Sequence, residues 1–177
     1  MRSSFAALLS LAATLAAASA GAAQASAPAL HAKPLVRGTG TYKNVDYGYR
    51  VRLPDGVVYE RTPAPFPNHG FQVPLAAGDT VRVDATYTDS LTLAGVAGED
   101  AGLRAGCTIA SRHPARLGPL PAVEVFYLCA GEIEERKVLA LRDAIVYTVA
   151  VSRVGGVTRR GAELWSVVRR EFATTPR

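Results

Sequence analysis

The chain has 177 residues, of which 49% are hydrophobic and 20% charged, and it carries a formal net charge of +5 at pH 7. These fractions are ordinary for a globular protein, and the length suits one domain with a sizeable core. After the N-terminal region, no apolar run is long enough to span a membrane. A membrane-spanning helix is therefore not expected there.

The N-terminus has the features of a secretory signal peptide. Arg2 precedes an alanine-rich apolar run over residues 5–18, and small residues follow it at once. Ala23 and Ala25 occupy the small-residue positions of a cleavage site, so we expect the cut after Ala25. The chain is therefore predicted to be periplasmic or secreted.

The residues after this cut mix alanine, proline, glycine and basic side chains without periodicity, which is typical of a flexible leader. Regular alternation begins near Tyr42. The predicted organisation is a signal peptide over residues 1–25, a flexible leader over 26–41 and a single α+β domain over 42–177.

Only two cysteines are present, Cys107 and Cys129. In an oxidising compartment, two lone cysteines of a compact domain usually pair, so we predict a Cys107–Cys129 disulfide. Two buried free thiols are the alternative. A metal site is not expected, because no histidine or further cysteine stands at ligand spacing.

Period-two alternation predicts strands in the first half of the domain. Residues 47–53 place aromatic and aliphatic side chains on one face and arginines on the other, as a half-buried strand does. Residues 71–75 alternate in the same way, but Pro74 favours an edge strand. Residues 81–87 form the clearest amphipathic strand, and the proline-rich residues 63–70 are predicted to be a loop.

The sequence of the second half of the domain predicts an antiparallel meander. A weak pattern over residues 90–105 is compatible with a short internal helix. A strand over 107–111 and a connection over 114–121 follow. Three extended runs separated by tight turns then cover residues 122–129, 133–141 and 144–153.

The C-terminal region predicts a long amphipathic helix. Thr158 is a suitable N-cap, and the pattern continues to about Phe172. Trp165 and Phe172 fall on one apolar arc of the helical wheel. The basic side chains outside that arc include Arg159, Arg169 and Arg170. The predicted fold is α+β, an antiparallel sheet packed by this long helix and by the shorter internal helix if it forms.

The start of the domain resembles that of periplasmic PsbP-like and DcrB-like domains. The matching positions are Tyr42, Asn44, Tyr47, Gly48, Tyr49, Val51, Leu53 and Pro54. A late Tyr-Thr-Val-Ala-Val-Ser run over residues 147–152, followed by an amphipathic helix, is similar too. The resemblance implies a sandwich built on an antiparallel sheet and a non-enzymatic accessory or binding role.

Histidines are the candidate catalytic residues. His69 and His113 lie in separate predicted loops, and neither accompanies a Gly-x-Ser-x-Gly turn or a reactive cysteine. A small periplasmic hydrolase that uses His69 or His113 is therefore the alternative function. At the tip of the proline-rich loop, Phe66, Asn68 and His69 are candidate binding residues, although turn chemistry favours a plain turn with an exposed histidine over a binding role.

The arginines at the C-terminus suggest a second candidate surface. Arg159, Arg169 and Arg170 would suit an anionic surface, although a solvated helix face explains them as well. No nucleic acid, metal or cofactor is expected, because the basic face lacks interleaved aromatics and no phosphate-binding glycine motif occurs. The main hypothesis is a non-catalytic exported binding or accessory protein with an unknown protein partner. An immunity-type inhibitor is one form of it.

Overall fold

A computed structural model describes residues 36–61 and 69–176. In chain order its elements are β1 (Arg37–Thr39), β2 (Thr41–Asn44), β3 (Tyr49–Arg52), β4 (Val58–Arg61), β5 (Phe71–Pro74), β6 (Thr80–Tyr87), α1 (Leu93–Gly102), β7 (Cys107–Leu117), β8 (Leu120–Cys129), β9 (Ile133–Arg142), β10 (Ile145–Val154), α2 (Arg159–Arg170) and β11 (Phe172–Thr174). The α+β class is confirmed, as is the short internal helix. None of the helices in this part of the chain has the length and apolarity needed to cross a membrane.

The strands form two antiparallel sheets. The larger has the order β1-β4-β5-β6-β10-β9-β8-β7, and the smaller has the order β11-β3-β2. Helix α2 and the small sheet share one hydrophobic core with the large sheet. Helix α1 packs on β8 and β9 through a second, smaller core. The large sheet therefore carries α2 and the small sheet on one face and α1 on the other.

The resemblance motif builds the turn between β2 and β3. The Asn44 side chain accepts a hydrogen bond from the Tyr47 backbone N–H at 3.0 Å, and Gly48 takes a positive φ of 61°. The Tyr47 carbonyl in turn accepts the Tyr147 hydroxyl from β10 at 2.8 Å. Asparagine and glycine are thus required by the turn geometry, and the motif joins the small sheet to the large one.

Two predictions about strands are wrong, and both were based on a proline. Strand β5 is not an edge strand, since it pairs with β4 and β6. Pro74 is tolerated because β4 pairs only with Phe71 and Gln72, which leaves the outer side of Pro74 without a strand. Strand β7 runs through Pro114 to Leu117, where a connection was predicted. It is the outermost strand of its sheet, and an edge strand tolerates proline because half of its N–H groups point away from the one neighbouring strand.

The C-terminal helix is shorter than predicted. Helix α2 has 12 residues and ends at Arg170, and Phe172 belongs to β11, where it pairs with Val51. The Phe172 ring stacks on Tyr49 at 5.4 Å and is 1% exposed. Helix α2 ends before Phe172, and the chain continues as a strand beside β3. This pairing places the Phe172 ring in the aromatic core.

The predicted leader contains part of the folded chain. Residues Arg37–Thr39 form β1 and pair with β4, so regular structure begins before Tyr42. A leader over residues 26–41 is therefore wrong for its last residues. The predicted signal peptide and its cleavage site lie outside the described residues.

Helix α2 starts on a buried carboxylate. Thr158 is its N-cap, as predicted, and its hydroxyl accepts a hydrogen bond from the Gly161 N–H at 3.1 Å. Asp79 is 1% exposed and accepts both the Thr158 backbone N–H at 2.9 Å and the Thr158 hydroxyl. A negative charge at a helix N-terminus is favourable, and its burial fixes how α2 sits on the sheet.

Replacing Gly161 with alanine is expected to lower the free energy of unfolding by about 1–3 kcal/mol. A Cβ at this position would lie 2.6 Å from the Asp79 carboxylate, which its hydrogen bonds hold in place. Urea unfolding of Gly161→Ala measures the change. The matched control is Gly98→Ala in α1, where a Cβ meets nothing within 4 Å. There the usual gain of about 0.5–1 kcal/mol for alanine in a helix is expected, and a gain at Gly161 would contradict the account.

Candidate binding site

Helix α1 covers only part of its face of the large sheet. Its buried residues Val96 and Ala97 pack over Val125, Tyr127 and Leu139 of β8 and β9. The core under α1 reaches Val146 near the start of β10, and the main contacts of this 10-residue helix are with β8 and β9. A groove of about 550 Å³ remains beside it. Such a volume is typical of ligand sites in proteins.

Small side chains form the floor of the groove. Ala150 and Ser152 alternate on β10 with the buried Val149 and Val151, so they face the side opposite the main core. Larger polar side chains flank them on β6 and β5. These are Thr80, Arg82 and Gln72, and the register places Arg82 opposite Ala150 and Thr80 opposite Ser152. The groove therefore has a floor of small side chains, and the side chains that flank it can form hydrogen bonds.

The opposite wall is the segment that follows α1, and a disulfide fixes it. Cys107 and Cys129 are bonded, as predicted, with their Cα atoms 3.9 Å apart in directly opposed positions of β7 and β8. The Gly106 carbonyl accepts the Ala130 N–H at 2.9 Å. Leu103 projects from this wall and is 86% exposed. The wall is thus cross-linked to the sheet, and it presents an apolar side chain to the groove.

A buried ionic cluster ties α1 to the sheet beneath this wall. Lys137 on β9 lies 2.6 Å from the Asp100 carboxylate of α1, and the Tyr127 hydroxyl donates to the same carboxylate at 2.7 Å. Arg104 donates two hydrogen bonds to Glu135, one at 2.9 Å and one shorter. Only 4% of the Lys137 side chain and 7% of the Glu135 side chain are exposed. We define these five residues as the α1 latch.

Burial shifts the pKa of two latch residues, Lys137 and Tyr127. It lowers the pKa of Lys137, and the attraction of Asp100 opposes that change. Burial also raises the pKa of Tyr127, and its hydrogen bond to Asp100 raises it further. The tyrosine therefore remains a hydrogen-bond donor. Glu135 is buried because the segment after α1 covers it.

Arg82 is the exposed cation of the groove. Among the described residues, no ion pair or side-chain hydrogen bond engages its guanidinium, whereas Arg104 on the opposite wall is paired with Glu135. Gln72, next to Arg82 in the register, donates a 3.4 Å hydrogen bond to Glu60, which is itself paired with Arg37. The groove thus offers one free guanidinium beside the hydroxyls of Thr80 and Ser152.

His69 is anchored by its neighbours. Its Nε2 atom lies 3.1 Å from the Tyr47 hydroxyl, and its Nδ1 atom lies 3.9 Å from an Asp84 carboxylate oxygen. Its backbone carbonyl accepts the Tyr49 hydroxyl and the Ala85 N–H, both at 3.0 Å. The expectation of a freely exposed loop-tip histidine is therefore wrong. Phe66 and Asn68, the other two loop candidates, lie outside the described residues.

His113 lies on strand β7, not in a loop as predicted. It is exposed and borders a shallow cleft between α1 and β7, together with Arg112 and Leu93. His69 directly precedes β5, which is five strand positions from β7 in the sheet order. At about 4.8 Å per strand the two histidines are on the order of 24 Å apart. They cannot act on one substrate atom.

The three candidate arginines of α2 do not form one surface. Arg159 is 92% exposed and pairs with Glu163 one turn further along. Arg169 was expected to point into solvent, and this is wrong. Its guanidinium lies 4.3 Å over the Trp165 ring and donates to Glu124 of β8 at 2.8 Å. Arg170 is 68% exposed and lies at the other end of the helix from Arg159.

Neither a family model nor a curated protein matches this sequence. Three solved structures are similar in fold. Cyanobacterial PsbP (CyanoP) of Synechocystis has a TM-score of 0.52 at 14% identity, with 85% of this chain and 98% of that chain covered. A Pseudomonas aeruginosa protein of unknown function has a TM-score of 0.52 at 12% identity, with 72% and 97% covered. LpqN of Mycobacterium tuberculosis, involved in cell envelope biogenesis, has a TM-score of 0.55 at 14% identity, with 81% and 93% covered.

These likenesses extend over most of both chains in each pair. They confirm the PsbP-like fold that the motif around Tyr42 and Tyr49 predicts. At 12–14% identity they establish the fold and leave the ligand of each protein to its own side chains.

Proposed function

We propose that this chain, which has a PsbP-like fold, is a non-catalytic exported binding protein whose groove beside α1 takes an acidic segment of a protein partner. The observation that carries the proposal is the free guanidinium of Arg82 above a floor of small side chains. Arginine forms its strongest contacts with carboxylates, because two N–H groups meet two oxygens. An acidic side chain of the partner would fill this role.

The shape of the groove supports a polypeptide ligand. It is open along the sheet, and its walls alternate hydrogen-bonding groups, such as Thr80 and Ser152, with the exposed apolar Leu103. Backbone amides of an extended segment can pair with such polar groups, while an apolar side chain of the segment covers Leu103. Mixed polar and apolar lining of this kind is typical of transient protein interfaces.

The pre-formed wall supports specific binding. The disulfide and the α1 latch hold the segment from Leu103 to Gly106 before any partner arrives. Binding then loses less conformational entropy than if the wall had to order on contact. An immunity-type inhibitor, which binds a toxin in its own compartment and blocks it, is one protein class that would use such a rigid groove.

A hydrolase is the second candidate, and the surroundings of His69 favour it over one that uses His113. His69 lies between a hydroxyl and a carboxylate, as the base of a catalytic triad does. Burial raises the pKa of the Tyr47 hydroxyl, however, which keeps it protonated and therefore a poor nucleophile at neutral pH. Hydrolysis of a chromogenic ester that His69→Ala abolishes and His113→Ala retains would favour this candidate.

Reversing the charge of Arg82 tests the binding proposal. Tagged parent, Arg82→Glu and Arg159→Glu proteins are each exposed to an extract of the export compartment, and the affinity of the captured partner is then measured with purified components. We expect Arg82→Glu to weaken binding by about tenfold or more, because an acidic partner would meet a like charge. Arg159→Glu makes the same net-charge change on exposed α2 and should bind as the parent does. Equal loss in both variants, or loss in neither, would contradict the proposal.

A further inference from the structure

A second cleft lies on the outer face of the small sheet. Its volume is about 410 Å³, and three arginines line it, namely Arg50, Arg52 and Arg170. It is separate from the groove beside α1, since the two share no lining residue. The proposed function does not use it.

Strand alternation places two of these arginines side by side. Tyr49 and Val51 point into the core and are at most 1% exposed, so Arg50 and Arg52 project from the opposite face of β3. β3 is the central strand of the small sheet, so partners flank it on both sides. The backbone of Arg50 is therefore paired on both sides, and that of Arg52 is paired with β2.

The neighbouring strands leave room between the guanidinium groups. The register places Ala173 opposite Arg50 on one side and Lys43 opposite it on the other, and it places Thr41 opposite Arg52. A methyl group and a hydroxyl are thus the immediate neighbours of the arginines within the cleft. Lys43 adds a further positive charge to the same face, which is exposed.

Little negative charge balances this face. Within residues 36–61 and 69–176, no ion pair engages Arg50, Arg52 or Lys43. The carboxylate in the cleft is that of Glu171, which lies 3.4 Å from the Arg170 guanidinium. That pair is exposed and therefore weak, with 68% of the Arg170 side chain accessible, so Arg170 can turn toward a ligand.

We infer that this cleft binds a phosphoryl group. A phosphoryl group is the anion that best fits several guanidinium groups at once, because its different oxygens can accept hydrogen bonds from different arginines. A single carboxylate has two oxygens and would satisfy one arginine. The cleft provides two arginines on a rigid strand, a third at the end of α2 and a hydroxyl donor at Thr41. The phosphoryl group belongs to a phospholipid headgroup or to a small phosphate compound.

Two probes distinguish these sources. Pyrophosphate is titrated into the isotope-labelled protein while the NMR signals of the Arg50, Arg52 and Arg170 side chains are followed. Sedimentation with phosphatidylcholine vesicles is compared with sedimentation with vesicles that also contain phosphatidylglycerol. Binding to pyrophosphate alone identifies a small phosphate compound as the source, and sedimentation only with the phosphatidylglycerol vesicles identifies a lipid headgroup. Either result supports the cleft as a phosphoryl site if it depends on the arginines.

The double variant Arg50→Ala/Arg52→Ala tests whether probe binding depends on these arginines. We expect it to bind the probe about 30-fold more weakly, from the usual contribution of two basic side chains at an anionic surface. Both side chains are exposed, so the variant should fold, and its circular dichroism spectrum verifies this. The matched control is Arg159→Ala/Arg160→Ala, which removes the same charge at the start of α2.

The control lies about 16 Å along α2 from Arg170, which exceeds the screening length of about 8 Å in physiological salt. It should therefore bind as the parent does. No saturable response to either probe, or equal weakening in the two double variants, would overturn the inference. Arg82→Glu should leave phosphoryl binding unchanged, so this test stands apart from that of the groove.

Discussion

Truncating Trp165 to alanine is expected to lower the free energy of unfolding by about 3–5 kcal/mol, the usual range for a buried tryptophan. The side chain is 5% exposed, and its indole N–H donates to the Val149 carbonyl of β10 at 3.1 Å. Arg169 covers the outer face of the ring and bridges to Glu124. The substitution thus opens a cavity, removes a buried hydrogen bond and removes the platform of an ion pair.

Urea unfolding followed by circular dichroism measures this loss, because Trp165 is the only tryptophan and its fluorescence disappears with it. Trp165→Phe should recover much of the loss, since it keeps a ring but not the N–H donor. Arg170→Ala is the surface control and should change stability by no more than about 0.5 kcal/mol. A loss below about 1 kcal/mol for Trp165→Ala would show that α2 is not part of the main core.

Removing one carboxylate from the α1 latch is expected to have an effect of similar size. Asp100→Ala leaves the Lys137 ammonium buried without its 2.6 Å partner and leaves the Tyr127 hydroxyl without its acceptor. An uncompensated buried charge of this kind usually costs about 3–5 kcal/mol. Glu135 lies 4.0 Å from Lys137 and compensates only in part.

The pH dependence identifies the buried lysine as the cause. Burial already lowers the pKa of Lys137 below its ordinary value of 10.5, and loss of Asp100 lowers it further. Above that lowered pKa, the folded state binds fewer protons than the unfolded state, so stability rises with pH until 10.5 is reached. The deficit of Asp100→Ala should therefore shrink in alkaline buffer. A deficit that stays constant between neutral and alkaline pH would contradict this explanation.

The double variant Asp100→Ala/Lys137→Met provides the matching control. Replacing a buried ion pair with apolar side chains is often neutral, so much of the stability should return. The alkaline recovery should also disappear, because no lysine remains to lose its proton. Since the latch holds the segment that follows α1, the single variant should also weaken binding in the groove.

The strands were the most predictable part of the fold. In β3 and β6 the alternation of apolar and charged residues follows the buried face directly, because one face of each strand meets solvent. The predictions for β5 and β7 were wrong because of Pro74 and Pro114. The cost of a proline in a strand depends on which strands lie beside it, and sequence alone does not give the strand order. Phe172 was assigned to the helix because its apolar side chain suits either element.

The groove was not predictable from the same patterns. Its floor residues Ala150 and Ser152 look like the ordinary outer face of a strand, and the groove is present because α1 packs mainly on β8 and β9. One signal was present: that face of β10 carries only small side chains over three consecutive outward positions, beginning at Thr148. Small side chains there leave space for another chain.

The ionic contacts required knowledge of the packing. Lys137 and Glu135 are both charged and alternate on one face of β9, which usually indicates a solvated face. They are buried because the α1 region supplies Asp100 and Arg104 as partners from more than thirty residues away. A helical wheel likewise places Arg169 outside the apolar arc, but the arginine is long enough to reach Glu124 across the ring of Trp165.

Site-specific photo-crosslinking in cells that express the protein tests the central claim most directly. A photoreactive side chain is placed at Gln72 or Ser152 in the groove, and at Ser166 on the exposed face of α2 as the control. We expect one protein adduct of the same mass from both groove positions, none from Ser166, and loss of the adduct when Arg82→Glu is added. An adduct from Ser166 with none from Gln72 or Ser152 would show that the partner binds elsewhere.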